Sequence, residues 1–135
     1  MKQGAQAIAA MASLANEPLR FGILGAARIA PRALIEPAAE NPRAHVVVVA
    51  ARDPVRAAAF AKTNAIPEAL FDYRSVIESP DVDAIYNALP PVLHAPLCIE
   101  ALAAGKHVLC EKPFAMNARQ AEDMVKAGER HGCVV

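Results

Sequence analysis

Leu19-Arg20-Phe21-Gly22-Ile23-Leu24-Gly25-Ala26-Ala27-Arg28-Ile29-Ala30 passes from a strand-like run through a glycine turn into a helix-like segment. A short apolar run ends on a glycine, and small residues lead from there into a segment of helical character. A dinucleotide-type loop needs glycine for its tight turn, a second small residue where backbone approaches pyrophosphate, and a third for close helix packing. Gly25 fills the first place and Ala30 the third. Ala27 occupies the second, where glycine is usual, so the fit is imperfect; Gly22 lies within the strand and does not count. A helix opening directly after such a turn presents free N–H groups and the positive end of its dipole to phosphate. A purely structural βα turn is the alternative.

Working outward, strand and helix alternate at βα spacing. The helix after the loop is expected over Ala27 to Ala39, with Pro31 in its first turn, where a missing N–H costs least. His45 to Ala51 holds the run Val46-Val47-Val48-Val49, β-branched without alternation, as in a parallel strand buried on both faces. Asp53-Pro54 reads as an N-cap with proline at the first helical position, opening a helix to Thr63. A weaker strand follows at Ala69 to Phe71, a short helix at Tyr73 to Glu78, and a strand at Ala84 to Ala88. Pro90-Pro91 predicts extended backbone before a helix that starts near His94 and closes at Gly105 and Lys106. His107 to Cys110 is a fifth strand, Asn117 caps a helix to His131, and Cys133-Val134-Val135 is expected to begin a sixth strand.

This pattern specifies an α/β fold, a doubly wound parallel sheet of Rossmann type occupying residues 18–135. Residues 1–17 read as a flexible extension: the Ala5 to Ala15 stretch behind Lys2 is broken by Gln6 and Ser13, and it lacks the leucine content of an export signal. In 135 residues there are 31 alanines and no tryptophan, so the core is expected to be built of small and branched aliphatics. Fourteen basic residues balance fourteen acidic ones, which gives no reason to expect nucleic acid or an anionic membrane as partner. Cys98, Cys110 and Cys133 have no metal-type spacing and read as reduced thiols, so no metal site and a cytoplasmic location are expected.

In an open α/β sheet the ligand lies beyond the carboxyl ends of the strands. The loops there hold Gly25 to Ala30, Arg52-Asp53, Leu89 to His94, and Glu111-Lys112-Pro113. An acidic residue after the second strand holds the ribose hydroxyls of NAD, whereas an arginine accommodates the 2′-phosphate of NADP. Asp53 is committed to capping, which leaves Arg52 facing the ribose and favours NADP, with NAD as second choice.

Taken together, Gly25-Ala26-Ala27-Arg28-Ile29-Ala30, Ala50-Ala51-Arg52-Asp53-Pro54, Asp81-Val82-Asp83-Ala84-Ile85-Tyr86-Asn87, Leu89-Pro90 with Leu93-His94, and Ala104-Gly105-Lys106-His107-Val108-Leu109-Cys110-Glu111-Lys112-Pro113 resemble the N-terminal domain of the Gfo/Idh/MocA oxidoreductases. The resemblance runs from about Leu19 to Val135. It implies that Gly25, Ala26, Ala27, Arg28 and Ile29 cradle the pyrophosphate and that Arg52 selects NADP. It also implies that Leu89, Pro90 and His94 form a loop under the nicotinamide end. Lys112 would be the catalytic lysine beside the nicotinamide ring, with Glu111 supporting it and a cis peptide before Pro113. Two departures stand out. Pro91 replaces a customary asparagine, and the family's second, C-terminal α+β domain is expected to be absent, together with the histidine it supplies; His107 and His131 are not expected to replace that group.

The function expected is that of a nucleotide-binding domain from an NAD(P)-dependent oxidoreductase. Such an enzyme transfers hydride between nicotinamide and a sugar, polyol or related hydroxyl compound. The chain is expected to be truncated and inactive by itself, with a homo-oligomer left open. A non-catalytic dinucleotide-binding module or sensor is the alternative.

Overall fold

A computed structural model describes residues 17–135, so the expected extension lies, apart from Glu17, outside the described residues. Five strands form one sheet: β1 (Leu19–Leu24), β2 (Ala44–Ala50), β3 (Glu68–Leu70), β4 (Ala84–Asn87) and β5 (His107–Cys110). Their order is β3-β2-β1-β4-β5, and every pairing is parallel. The topological switch lies between β1 and β4, which run side by side although two strands intervene in sequence. Their carboxyl ends therefore open a crevice there.

Alternation along the strands builds a core on each face. Leu24, Val48 and Ile85 enter one cluster, which Val76, Leu102 and Met124 complete. Ile23, Val49 and Tyr86 enter the other, with Leu34, Ala61 and Ile66. The central strands are thus apolar at successive positions because both faces are covered, as the unalternating valine run predicts. Gly22 has a packing role here: an added Cβ would fall 2.5 Å from Val76 Cγ1.

The helices are α1, which begins as a π-helical turn at Pro31–Ile35 and continues at Glu36–Ala39, α2 (Pro54–Thr63), α3 (Tyr73–Glu78), α4 (His94–Ala103) and α5 (Ala118–His131). The first helix starts later than expected. Ala27 N–H donates to the Gly25 carbonyl and Ala30 N–H to that of Ala27, so turns occupy the segment before Pro31. Pro37 has no N–H for a regular ladder; ahead of it Glu36 N–H reaches the Pro31 carbonyl in the wider π pattern. Only Pro90 is extended, since Pro91 already opens a 3₁₀ turn, Pro91–Leu93, running into α4. No sixth strand forms within the described residues. Instead the Val134 carbonyl accepts one hydrogen bond from Val108 N–H at 2.8 Å, on the free edge of β5. Asn117 caps α5 through Gln120 N–H at 2.9 Å, and Gly132 closes it at φ +65°.

Candidate dinucleotide site

The loop after β1 is shaped at Gly25. Its φ of +100° lies where a side chain is strained, and an added Cβ would stand 3.0 Å from Leu89 Cδ2 and 3.3 Å from the Ala88 carbonyl oxygen. Gly25 N–H donates to the Ala50 carbonyl at 2.8 Å, which locks the turn to the end of β2. Among the described residues, the N–H groups of Ala26, Arg28 and Ile29 have no hydrogen-bond acceptor. Adjacent free amides in a turn ahead of a helix suit an anion.

Asp53 caps α2 as expected, accepting from Val55 N–H at 2.9 Å and Arg56 N–H at 3.4 Å. That cap projects the first turn of α2 back over the glycine loop. Arg56 Nη2 donates to the Ala26 carbonyl at 2.9 Å, tying the helix to the loop. A cavity of about 290 Å³ lies among these parts. Gly25, Ala26 and Ala27 form one wall; Arg52, Asp53 and Arg56 form another; Tyr73 and the β4 loop at Leu89 and Pro90 complete it. Six of the expected cofactor residues thus meet around one space: Gly25, Ala26, Ala27, Arg52, Leu89 and Pro90. Arg28, Ile29, His94, Glu111 and Lys112 do not line it.

His94 has a different position from the one expected of a cofactor contact. It is fully buried, with Nε2 2.7 Å from the Leu89 carbonyl oxygen and Nδ1 2.8 Å from that of Pro113. It therefore ties the β4 loop to the β5 loop from beneath. Asn87, also fully buried, accepts from Leu89 N–H at 3.2 Å and donates through Nδ2 to the Leu93 carbonyl at 3.4 Å. Buried polar groups so satisfied fix a loop's path.

The β5 loop lies beyond the cavity. Glu111 N–H donates to the Asn87 carbonyl at 3.0 Å, extending the sheet pairing one residue past β5. Glu111 Oε1 accepts from the Tyr86 hydroxyl at 2.6 Å, and Oε2 accepts from Lys112 N–H at 3.2 Å. Glu111 thus supports Lys112 through its backbone. Burial, and then the Glu111 carboxylate, push the Tyr86 hydroxyl well above its ordinary pKa. The Lys112–Pro113 peptide is cis, and the Lys112 side chain is exposed. His107 Nδ1 accepts from Val134 N–H at 3.0 Å, and His131 is exposed at the end of α5.

Arg56 and Tyr73, which line the cavity, and Tyr86 and Asn87, which brace the loops beside it, were not singled out by the sequence reading. Arg56 carried a signal, since it falls three residues past an N-cap and must lie in the first turn of α2, above the strand ends. Asn87 and Tyr86 carried a weaker one, as polar groups at the end of an otherwise apolar strand.

Residues 19–135 match the family model GFO_IDH_MocA, described as "Oxidoreductase family, NAD-binding Rossmann fold". The chain is 39% identical over 117 residues to dTDP-3,4-didehydro-2,6-dideoxy-alpha-D-glucose 3-reductase of Streptomyces antibioticus, covering 87% of this chain and 35% of that one. It is 37% identical over 117 residues to scyllo-inositol 2-dehydrogenase (NADP(+)) IolU of Bacillus subtilis, with the same coverage of 87% and 35%. Among solved structures, the 3-ketoreductase KijD10 of Actinomadura kijaniata, in complex with TDP-benzene and NADP, superposes with a TM-score of 0.83 at 37% identity, covering 88% of this chain and 37% of that one. The chain spans about a third of the length of the curated relatives it matches. Among the described residues no helix is long and apolar enough to cross a membrane.

Proposed function

The chain belongs to the Gfo/Idh/MocA oxidoreductases through their NAD-binding Rossmann domain, and we propose that it binds NADP(H) in preference to NAD(H). The observation that carries this is that Arg52 and Arg56 line the same cavity as the Gly25 turn, to which Arg56 is tied through the Ala26 carbonyl. The residues present fit the dinucleotide. The turn leaves little room for a Cβ at Gly25, the neighbouring amides are free to donate to a pyrophosphate, and the guanidinium groups suit a 2′-phosphate. Asp53 is engaged as the cap of α2, which favours the arginines as the groups that read the ribose.

Bound nicotinamide supplies the hydride donor or acceptor. This chain's residues bind and orient it: the Gly25 loop at the phosphates, Leu89 and Pro90 along the path to the nicotinamide end, and Lys112 beyond. In this reading Lys112 Nζ, with Glu111 holding its backbone, gives a proton to or takes one from the oxygen of a sugar, polyol or related hydroxyl compound. Lys112 stands exposed, so the described residues alone leave its ammonium in water, where its electrostatic effect is weak. Cofactor binding without turnover is therefore the behaviour expected of this chain, and its balance of fourteen basic and fourteen acidic residues favours neither nucleic acid nor an anionic membrane as partner. Titrating NADPH and NADH by their own emission tests the reading. A charge-assisted contact of about 1.5–3 kcal/mol corresponds to roughly tenfold or more in affinity for NADPH. Arg52→Ala should erase most of that preference. Equal affinities in the unaltered chain, or an unchanged preference in Arg52→Ala, would overturn it.

A further inference from the structure

Tyr86 is the largest fully buried side chain among the described residues, 1% exposed, and it stands near the carboxyl end of β4 in the apolar cluster with Ile23, Leu34 and Val49. A hydroxyl there has to find a partner, because an unpaired buried polar group is costly. The partner is Glu111 Oε1 at 2.6 Å, a short charge-assisted bond. The second carboxylate oxygen accepts from Lys112 N–H at 3.2 Å, and Glu111's own amide is held at 3.0 Å by the Asn87 carbonyl. The Glu111 carboxylate is therefore fixed at both oxygens, one by the buried ring and the other by the residue that follows. Tyr86 does not line the cavity. We propose that Tyr86 is a positioning residue for Lys112: its hydroxyl holds the Glu111 carboxylate over the Lys112 amide and so sets the course of the chain that carries the lysine. The proposal rests on the reading of Lys112 as the group beside the nicotinamide. Because Tyr86 remains protonated as a buried donor to a carboxylate, the brace persists across the neutral range.

The test uses the full chain, ¹⁵N-labelled, with Tyr86→Phe, which keeps the ring and removes only the hydroxyl. Loss of one charge-assisted anchor should speed exchange of the Lys112 amide about tenfold. The Val108 amide, bonded to Val134 in the same region, should exchange at its original rate. Glu111→Gln, a second variant in which the Lys112 amide loses its charged acceptor, should reproduce the effect. Unchanged Lys112 exchange, or equal acceleration at Val108, would overturn the proposal, the latter by showing a general loosening of the sheet. A second arm follows the emission of bound NADPH. Tyr86→Phe should alter it in the unaltered chain and leave it unaltered in a Lys112→Ala background. The same change in both backgrounds would mean that Tyr86 acts by another route, and the proposal would fall. If the unaltered chain does not bind NADPH, the proposed function fails, while the exchange arm still decides the role of Tyr86.

Discussion

Gly25→Ala should damage stability and dinucleotide binding together, because one atom enters a space that two loops already fill. A residue with a Cβ at φ +100° bears a conformational cost of about 1–2 kcal/mol. The new methyl also meets Leu89 Cδ2 at 3.0 Å and the Ala88 carbonyl oxygen at 3.3 Å. Leu89 can yield, but the Ala88 backbone is held by its amide's bond to the Leu24 carbonyl at 3.0 Å. Because Leu89 can give way, overpacking adds the lower part of the usual range of about 1–3 kcal/mol, for a total of about 2–4 kcal/mol. A domain with an ordinary stability of about 5–15 kcal/mol remains folded under that load. With no tryptophan in the chain, unfolding in urea is followed by far-ultraviolet circular dichroism. To relieve the contact the turn must shift, which moves the free amides of Ala26, Arg28 and Ile29. Losing one charge-assisted donor to pyrophosphate weakens NADPH binding by about tenfold or more. A destabilisation below about 0.5 kcal/mol, the range of ordinary surface substitutions, with unaltered NADPH affinity would refute the role given to this turn.

At Ala27, a cavity wall residue, Ala27→Val should abolish dinucleotide binding with the circular dichroism spectrum intact, and Ala27→Gly should bind as well as the unaltered chain or slightly better; a tolerated valine would place the phosphates elsewhere. At the opposite end of the sheet Arg20 grips Asp83 through Nε and Nη2, each at 2.9 Å, and this hydrogen bonding holds the Asp83 carboxyl below its usual range. Its folded pKa is therefore lower than the unfolded value of about 3.9. The stabilisation is present above that value and is lost as pH falls through the folded pKa. Urea midpoints at pH 3 and pH 7 should accordingly differ less in Asp83→Asn than in the unaltered chain, and an equal difference in both would remove the Arg20 pair from the account of acid stability.

Some features of this protein were legible in the chain because their causes act over a few residues. The valine run at Val46 to Val49 specifies a doubly buried strand, and Asp53-Pro54 marks a helix start at its true position. Glycine at 25 announces a turn that other residues enter only under strain. A strand followed by such a turn and a helix, several times over, restricts the architecture to a parallel sheet with its ligand edge known in advance. The same local logic misjudged α1, where Pro31 and Pro37 together delay the helix and widen its first turn. It also misjudged Cys133 to Val135, where apolar residues alone do not make a strand without a neighbour to pair with over several residues.

Only the tertiary structure decided which side chains meet. Arg56 reaches the Ala26 carbonyl across 30 positions, Tyr86 reaches Glu111 across 25, and His94 reaches Pro113 across 19. Those encounters follow from the strand order β3-β2-β1-β4-β5 and from the register that sets Asn87 opposite Cys110. They turn His94 from a cofactor contact into a buried tie between loops, and give Glu111 a partner in Tyr86. Backbone preferences, caps and turns are properties of short segments and are written in the chain. The partner of a buried hydroxyl or imidazole is chosen by the packing of distant strands, a choice that exists only once the sheet has formed.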